Sequence, residues 1–205
     1  MSAGNPIDVA LLDYGAGNLH SLGKALELGG ARVTVTADWD RALAADALVL
    51  PGVGAFSAAV EALPPERGRV REALERGLPC LGICLGMQLF FDGSDEGEGQ
   101  GIGFIPGRVR RLDAPVVPHM GWNDVQDRGD PLFGGAAHGM AGYYAHSYQC
   151  DPEDPTAVIA WTEYAGTRIA AAVRRGRSWG VQFHPEKSSG PGLRLLANFL
   201  EEARR

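Results

Sequence analysis

Along the first half of the chain, short apolar runs alternate with stretches in which leucine recurs at helical spacing. Ile7–Leu12 reads as a buried strand, followed by the loop Asp13–Asn18. Leu19, Leu22, Leu26 and Leu28 then form a helical stripe that stops at Gly29-Gly30. Arg32–Thr36 is β-branched and strand-like, and Ala47–Leu50 is a third strand ending in Pro51-Gly52-Val53-Gly54. Val70–Arg76 has a helical pattern closed by Gly77. Pro79–Ile83 is a fourth strand, running straight into Cys84 and a helical segment from Leu85 to Phe91. Strands separated by helices imply parallel βαβ units.

After the Gly-rich acidic loop Asp92–Gly103 the pattern changes to strands: Arg108–Leu112, Asp124–Gln126, Ala141–Cys150, Thr156–Glu163, Thr167–Arg174 and Trp179–Phe183. Turn signals such as Asp127-Arg128-Gly129-Asp130 and Arg175-Gly176 separate several of them. A last helix carries the stripe Leu193, Leu196, Ala197 and Leu200. The expected fold is α/β: an open, mostly parallel sheet covered by helices on both faces, with added antiparallel strands in the second half. No repeat or linker divides the chain, so residues 1–205 read as one domain.

Composition narrows the function classes. The 205 residues are 45% hydrophobic and 21% charged, a globular balance. With 19 basic and 25 acidic residues the net charge is −6, which gives no general attraction to nucleic acid or an anionic membrane. No apolar run has the length of a membrane span. Met1–Asn5 lacks the basic stretch of a signal peptide. The three cysteines, Cys80, Cys84 and Cys150, cannot all pair within the chain, so they read as reduced and the compartment as cytoplasm. Their spacings are not those of a zinc site, and no metal or cofactor is expected.

The sharpest local signal is Gly82-Ile83-Cys84-Leu85-Gly86, a Gly-x-nucleophile-x-Gly pentapeptide between a strand and a helix. A tight strand-to-helix turn strains the central residue, and flanking glycines remove side chains that would clash. The nucleophile then stands at a helix N-terminus, where the dipole and free N–H groups favour a thiolate. Cys80 lacks this frame and reads as a small core residue; Cys150 has no local motif.

A thiol nucleophile acting on an amide needs a base that also protonates the leaving nitrogen. Of His20, His119, His138, His146 and His184, only His184 has a carboxylate two residues on, in His184-Pro185-Glu186. Residues i and i+2 of extended backbone face the same way, and Pro185 favours that geometry. Glu186 can then orient the ring and stabilise the imidazolium. Like Cys84, this dyad follows a strand, and ligand sites in open α/β sheets lie at carboxyl ends of strands. The backbone N–H of Leu85 is one candidate oxyanion donor, and Gly52-Val53-Gly54 can supply a second. A rival unit, Asp13-Tyr14-Gly15-Ala16-Gly17-Asn18 with Asp38 after the second strand, sketches a dinucleotide site. His20 occupies its third glycine position, however, and Gly15–Asn18 reads better as a loop near the active mouth.

Together the fragments resemble the class I (triad) glutamine amidotransferases, and among them the glutaminase subunits of imidazole glycerol phosphate synthases. The carrying segments are Asp13-Tyr14-Gly15-Ala16-Gly17-Asn18-Leu19, Pro51-Gly52-Val53-Gly54, Gly82-Ile83-Cys84-Leu85-Gly86-Met87-Gln88, His119-Met120-Gly121-Trp122-Asn123, Tyr144-Ala145-His146-Ser147-Tyr148 and Phe183-His184-Pro185-Glu186-Lys187-Ser188. The resemblance implies that Cys84 forms a γ-glutamyl thioester from L-glutamine, that His184 is acid and base, that Glu186 orients it and that Gln88 helps bind glutamine. It also implies a (β/α)8-barrel cyclase partner in histidine biosynthesis that consumes the ammonia, with Asn18, Trp122 and Asn123 near the joint. Asp92–Gly97 departs from the family pattern. Lys187, one of two lysines beside 17 arginines, reads as a surface residue. Two other classes stay open at this point: a hydrolase of other γ-glutamyl substrates, and a non-catalytic binding subunit.

Overall fold

The computed structural model describes residues 6–15, 19–64, 67–135 and 139–205. The first half holds β1 (Ile7–Leu12), α1 (Leu19–Leu28), β2 (Ala31–Thr36), α2 (Trp39–Leu43), β3 (Ala47–Leu50), α3 (Phe56–Glu61), α4 (Arg67–Glu75), β4 (Cys80–Ile83) and the single turn α5 (Leu85–Gln88). The second half holds β5 (Gly93–Ser94), β6 (Gly107–Arg111), β7 (His119–Asp127), β8 (Met140–His146), β9 (Tyr148–Pro152), β10 (Val158–Tyr164), β11 (Thr167–Arg175), β12 (Ser178–Val181) and α6 (Ser189–Ala203).

Nine strands form one sheet in the order β2-β1-β3-β4-β12-β11-β10-β7-β8, and β5, β6 and β9 form a small second sheet. From β2 to β12 neighbours are parallel. From β12 to β8 they are antiparallel. This is the α/β class expected from the alternation of patterns. The period of two along each strand builds both cores. Val9 and Leu11 face α1 and α6, against Leu26, Leu196 and Phe199. Ala10 and Leu12 face the other side, with Trp39 of α2, Phe56 of α3 and Leu74 of α4. Each fully buried side chain of this size contributes roughly 1.5–3 kcal/mol.

Several sequence expectations are revised. Ala141–Cys150 is two strands rather than one: the chain breaks at Ser147, whose carbonyl accepts from Leu112 N (2.9 Å), and β8 and β9 enter different sheets. The expected strand Asp124–Gln126 extends to His119–Asp127, so Trp122 and Asn123 lie inside β7. The helix expected to reach Phe91 ends at Gln88. Leu28, at the end of α1, and Leu193 of α6 are exposed; the buried face of α6 includes Leu195, Leu196, Phe199, Leu200 and Ala203. The short helix α2 was not expected, although its signal was present. The Asp38 carboxylate caps it by accepting from Asp40 N and Arg41 N.

Three adjacent parallel strands position the site. Leu50 of β3 pairs with Gly82 of β4, and Ile83 of β4 with Val181 of β12. The segments that leave their carboxyl ends therefore start side by side. The antiparallel half curls back over this edge. Although β8 is last in the sheet, its Tyr143 carbonyl accepts from His184 N (2.8 Å), and a Cβ on its Gly142 would lie 2.7 Å from the Phe183 ring. Among the described residues no helix is long and apolar enough to cross a membrane.

Candidate active site

Cys84 sits between β4 and α5 at φ 49°, ψ −102°, a backbone conformation that L-residues rarely adopt. Close packing enforces it. A Cβ on Gly86 would stand 2.1 Å from Leu50 O, and one on Gly52 would stand 2.4 Å from Ile83 O. The Pro51–Gly54 segment thus lies directly against the backbone of the nucleophile turn. Cys84 N donates to Val181 O (2.6 Å), tying the turn to β12. The Sγ accepts from Gln182 Nε2 at 3.4 Å. With α5 only one turn long, the helix dipole contributes less than the sequence suggested, because the macrodipole sums over aligned peptides.

His184 is buried, and its Nδ1 lies 3.0 Å from Glu186 Oε1. Burial by itself pushes the imidazolium pKa down. Hydrogen bonds to Cys84 and Glu186, with the attraction of both groups' negative charge, outweigh it and hold the pKa at about 9. The ring is held by the carboxylate on one side and shares a cavity with the thiol. The route differs from the extended i, i+2 pattern. His184 itself is extended (φ −99°, ψ 99°), but Pro185–Lys187 turns as a 3-10 helix and brings the carboxylate back to the ring. The Ser188 hydroxyl donates to His184 O (2.6 Å) and accepts from Tyr143 N (3.0 Å), which pins this turn to β8. Cys80 and Cys150 are buried in the core, and burial pushes both thiols up, away from the reactive form.

Cys84 and His184 open onto a cavity of about 310 Å³ lined also by Gly52, Val53, Gly54, Leu85 and Gln88. Every oxyanion and substrate candidate from the sequence is thus brought together with the thiol and imidazole. Glu186 stands behind the ring. The cavity adds residues to which the sequence assigned no part in catalysis or glutamine binding: Glu96, Met120, His146, Tyr148 and Lys187 among them. Glu96 comes from the loop whose role the sequence left open, and its Oε2 accepts from Phe56 N (3.0 Å). Its signal was an acid within a glycine-rich loop. Lys187 is exposed as expected, yet it stands on the cavity rim with its Nζ 5.7 Å from the Tyr143 ring centroid. A larger cavity, about 390 Å³, opens beside the small sheet among Arg110, Arg128, Trp161 and Arg168 and contains none of the candidate residues.

The interface candidates separate. Trp122 is 54% exposed on the outer face of β7, edge-on to Tyr143. Asn123 points the other way, its Nδ2 donating to Glu163 O at 2.9 Å. Asn18, with Ala16 and Gly17 of the rival dinucleotide loop, lies outside the described residues.

A model of the class-I glutamine amidotransferase family matches residues 10–203. The chain belongs to this family. It is 48% identical over 201 residues to the imidazole glycerol phosphate synthase subunit HisH of Moorella thermoacetica, covering 96% of this chain and 95% of that one. It is 48% identical to the HisH subunit of Nocardia farcinica (94% and 97% covered) and 45% identical to that of Synechococcus elongatus (95% and 93%). In solved structures, a glutamine amidotransferase superposes with TM-score 0.75 at 22% identity, covering 96% of this chain and 99% of that one. PurLQS from Thermotoga maritima superposes with TM-score 0.71 at 19% identity (98% and 100% covered); these two likenesses show the fold. The chain is a glutamine amidotransferase of the HisH group, hence an enzyme of histidine biosynthesis.

Proposed function

We propose that Cys84, His184 and Glu186 convert L-glutamine to L-glutamate and ammonia, and that the ammonia passes to a (β/α)8-barrel cyclase subunit. The cysteine sulfur attacks the side-chain amide carbon. Collapse of the tetrahedral species breaks the C–N bond, and the His184 imidazolium protonates the departing nitrogen. Water then attacks the thioester, His184 takes its proton, and the Cys84 sulfur leaves with glutamate released. Glu186 keeps the ring oriented and compensates its charge. Backbone N–H groups of Leu85 and of the Gly52–Gly54 segment receive the oxyanion, each donor worth about 10²–10³ in rate. Gln88 contacts the glutamine. One observation carries this reading: three adjacent parallel strands deliver Cys84, His184 and Gly52–Gly54 to a single cavity, with the imidazole hydrogen-bonded to Glu186.

The cyclase docks, in this reading, over the outer face of β7. Met120 (63% exposed) and Trp122 (54%) stand there beside the cavity mouth; Asn123, on the opposite face of the same strand, and Asn18, outside the described residues, are assigned to the joint by the resemblance alone. A closed passage makes chemical sense, since ammonia released to neutral water is protonated and no longer nucleophilic. Residues 1–205 act as one amidotransferase domain, in the cytoplasm, without a metal or cofactor. The test is ammonia release from glutamine with and without the cyclase, paired with intact-mass detection of a γ-glutamyl adduct on the wild-type chain and on Cys84→Ser. An adduct on wild type alone supports the proposal. Turnover by Cys84→Ser removes the nucleophile assignment, release from γ-glutamyl peptides but not glutamine favours the other hydrolase, and no release under any condition leaves a binding subunit.

A further inference from the structure

Beneath the cavity wall lies a chain of hydrogen bonds whose direction can be derived from its two ends. At one end, His146 Nδ1 is 2.8 Å from the carbonyl of Tyr148. A carbonyl only accepts, so His146 carries its proton on Nδ1, and its Nε2, if neutral, is an acceptor. That Nε2 is 3.0 Å from His119 Nδ1, which must then be the donor. His119 is left with an acceptor at Nε2. At the other end, Asn123 Nδ2 stands 3.4 Å from this nitrogen. The same Nδ2 donates to Glu163 O (2.9 Å) and Asn123 Oδ1 accepts from Asp124 N (2.9 Å), so the amide orientation is set independently. Both ends demand the same order: Asn123 to His119 to His146 to Tyr148.

The surroundings keep the pair neutral. His119 is 2% exposed and His146 6%. His119 is stacked between Tyr144 (4.5 Å) and Tyr164 (3.9 Å). Burial pushes both imidazolium pKa values down to about 4. The chain of bonds ends on a carbonyl that serves the substrate side. Tyr148 O also accepts from Gln88 Nε2 (3.4 Å), and Gln88, Tyr148 and His146 all line the cavity. With its NH2 group turned to Tyr148, the Gln88 amide keeps its oxygen as the atom left to accept from a ligand in the cavity it lines.

We propose that His119 and His146 are positioning residues, a one-directional relay that sets the Tyr148 carbonyl and thereby the Gln88 amide, so that the cavity offers an acceptor to a donor group of glutamine. The proposal rests on the glutaminase reading and adds to it the origin of Gln88 orientation. It is tested in the full chain with its cyclase partner. Long-range ¹H–¹⁵N spectra at neutral pH are expected to show both histidines neutral and protonated on Nδ1; a proton on His146 Nε2 overturns the relay. Steady-state kinetics use three substitutions. His146→Leu removes the donor, His146→Gln moves it to the Nε2 position, and His146→Asn restores it at the Nδ1 position. The first two should raise KM for glutamine about three- to ten-fold, the worth of one hydrogen bond, with kcat nearly unchanged. His146→Asn should recover most of that loss. If Asn and Gln behave alike, or if kcat falls while KM holds, His146 does not act through the Tyr148 carbonyl. The Asn–Gln comparison stands even if the leucine variant fails to fold. Absence of any thioester on the wild-type chain would instead remove the glutaminase reading, while the spectra still report the tautomers.

Discussion

Replacing Glu186 by Gln changes one charge and almost no volume, so its effect isolates what the carboxylate does. The side chain is 8% exposed and touches His184 through Oε1 alone, at 3.0 Å; Oε2 has no hydrogen-bond partner among the described residues. A buried hydrogen bond to a charged group is worth about 1.5–3 kcal/mol, which corresponds to one or two pKa units. The imidazolium, held at about 9 in the native chain, should fall to about 7–8 in the variant. Because the folded value lies above the unfolded 6.5, this group's stabilisation is fully present below pH 6.5 and is lost as pH rises through about 9. The loss amounts to about 3 kcal/mol in the wild type, and the window closes one to two units earlier in Glu186→Gln. The acylation step should slow about 10- to 150-fold while glutamine affinity stays within about two-fold, because the charge stabilises the imidazolium rather than the substrate. Two assays check this: an NMR titration of His184 and single-turnover acylation. An unshifted titration with an unchanged chemical step would refute the assigned role; a change in affinity alone would make Glu186 a binding residue.

The remaining expectations are sharper in sign than in size. Cys84→Ser should keep the wild-type unfolding midpoint and lose nearly all glutaminase activity, measured by ammonia release, since a hydroxyl is far less acidic than a thiol. Cys80→Ser should retain activity but lose about 1–3 kcal/mol in denaturant unfolding, because a hydroxyl enters a fully buried apolar site. Gly86→Ala should cost about 3 kcal/mol or more and abolish turnover, since the methyl would meet Leu50 O at 2.1 Å and force β3 away from the nucleophile turn. Trp122→Ala should leave the isolated chain's stability within about 1 kcal/mol, given its exposure, and weaken cyclase binding in a titration.

The legible parts of this protein are those whose determinants are local. β1, β3 and the Cys84 turn follow from apolar runs bounded by glycine and from a pentapeptide in which a Cβ on either glycine would meet backbone at 2.1–2.6 Å. His184 and Glu186 are two positions apart, so their partnership could be read without knowing the turn that joins them. What stayed hidden is non-local. Nothing in Ala141–Cys150 announces that its two halves join different sheets, because the break at Ser147 is set by Leu112, far away in sequence. Nor does the short pattern Asp124–Gln126 reveal a nine-residue β7; its earlier residues, including Gly121 and Asn123, become strand by pairing with β8. His119 and His146, unremarkable singly, acquire meaning when that pairing sets them opposite each other.

The division of labour in the sheet follows from this. The parallel half presents a thiol, an imidazole and a glycine loop along one edge, but an edge is open to water. The antiparallel half closes it. By curling back, β7 and β8 place Met120, Ala145 and His146 as the cavity's far wall, and Tyr143 holds His184 N while standing against Trp122 on the outer face. The exposed tryptophan and the base are thus joined through a single residue of β8. The relay from Asn123 to Tyr148 runs through the same hairpin. Substrate geometry and outer surface therefore depend on one pair of strands that local sequence pattern barely marks, whereas the helices it marks most clearly, α1 and α6, serve the core.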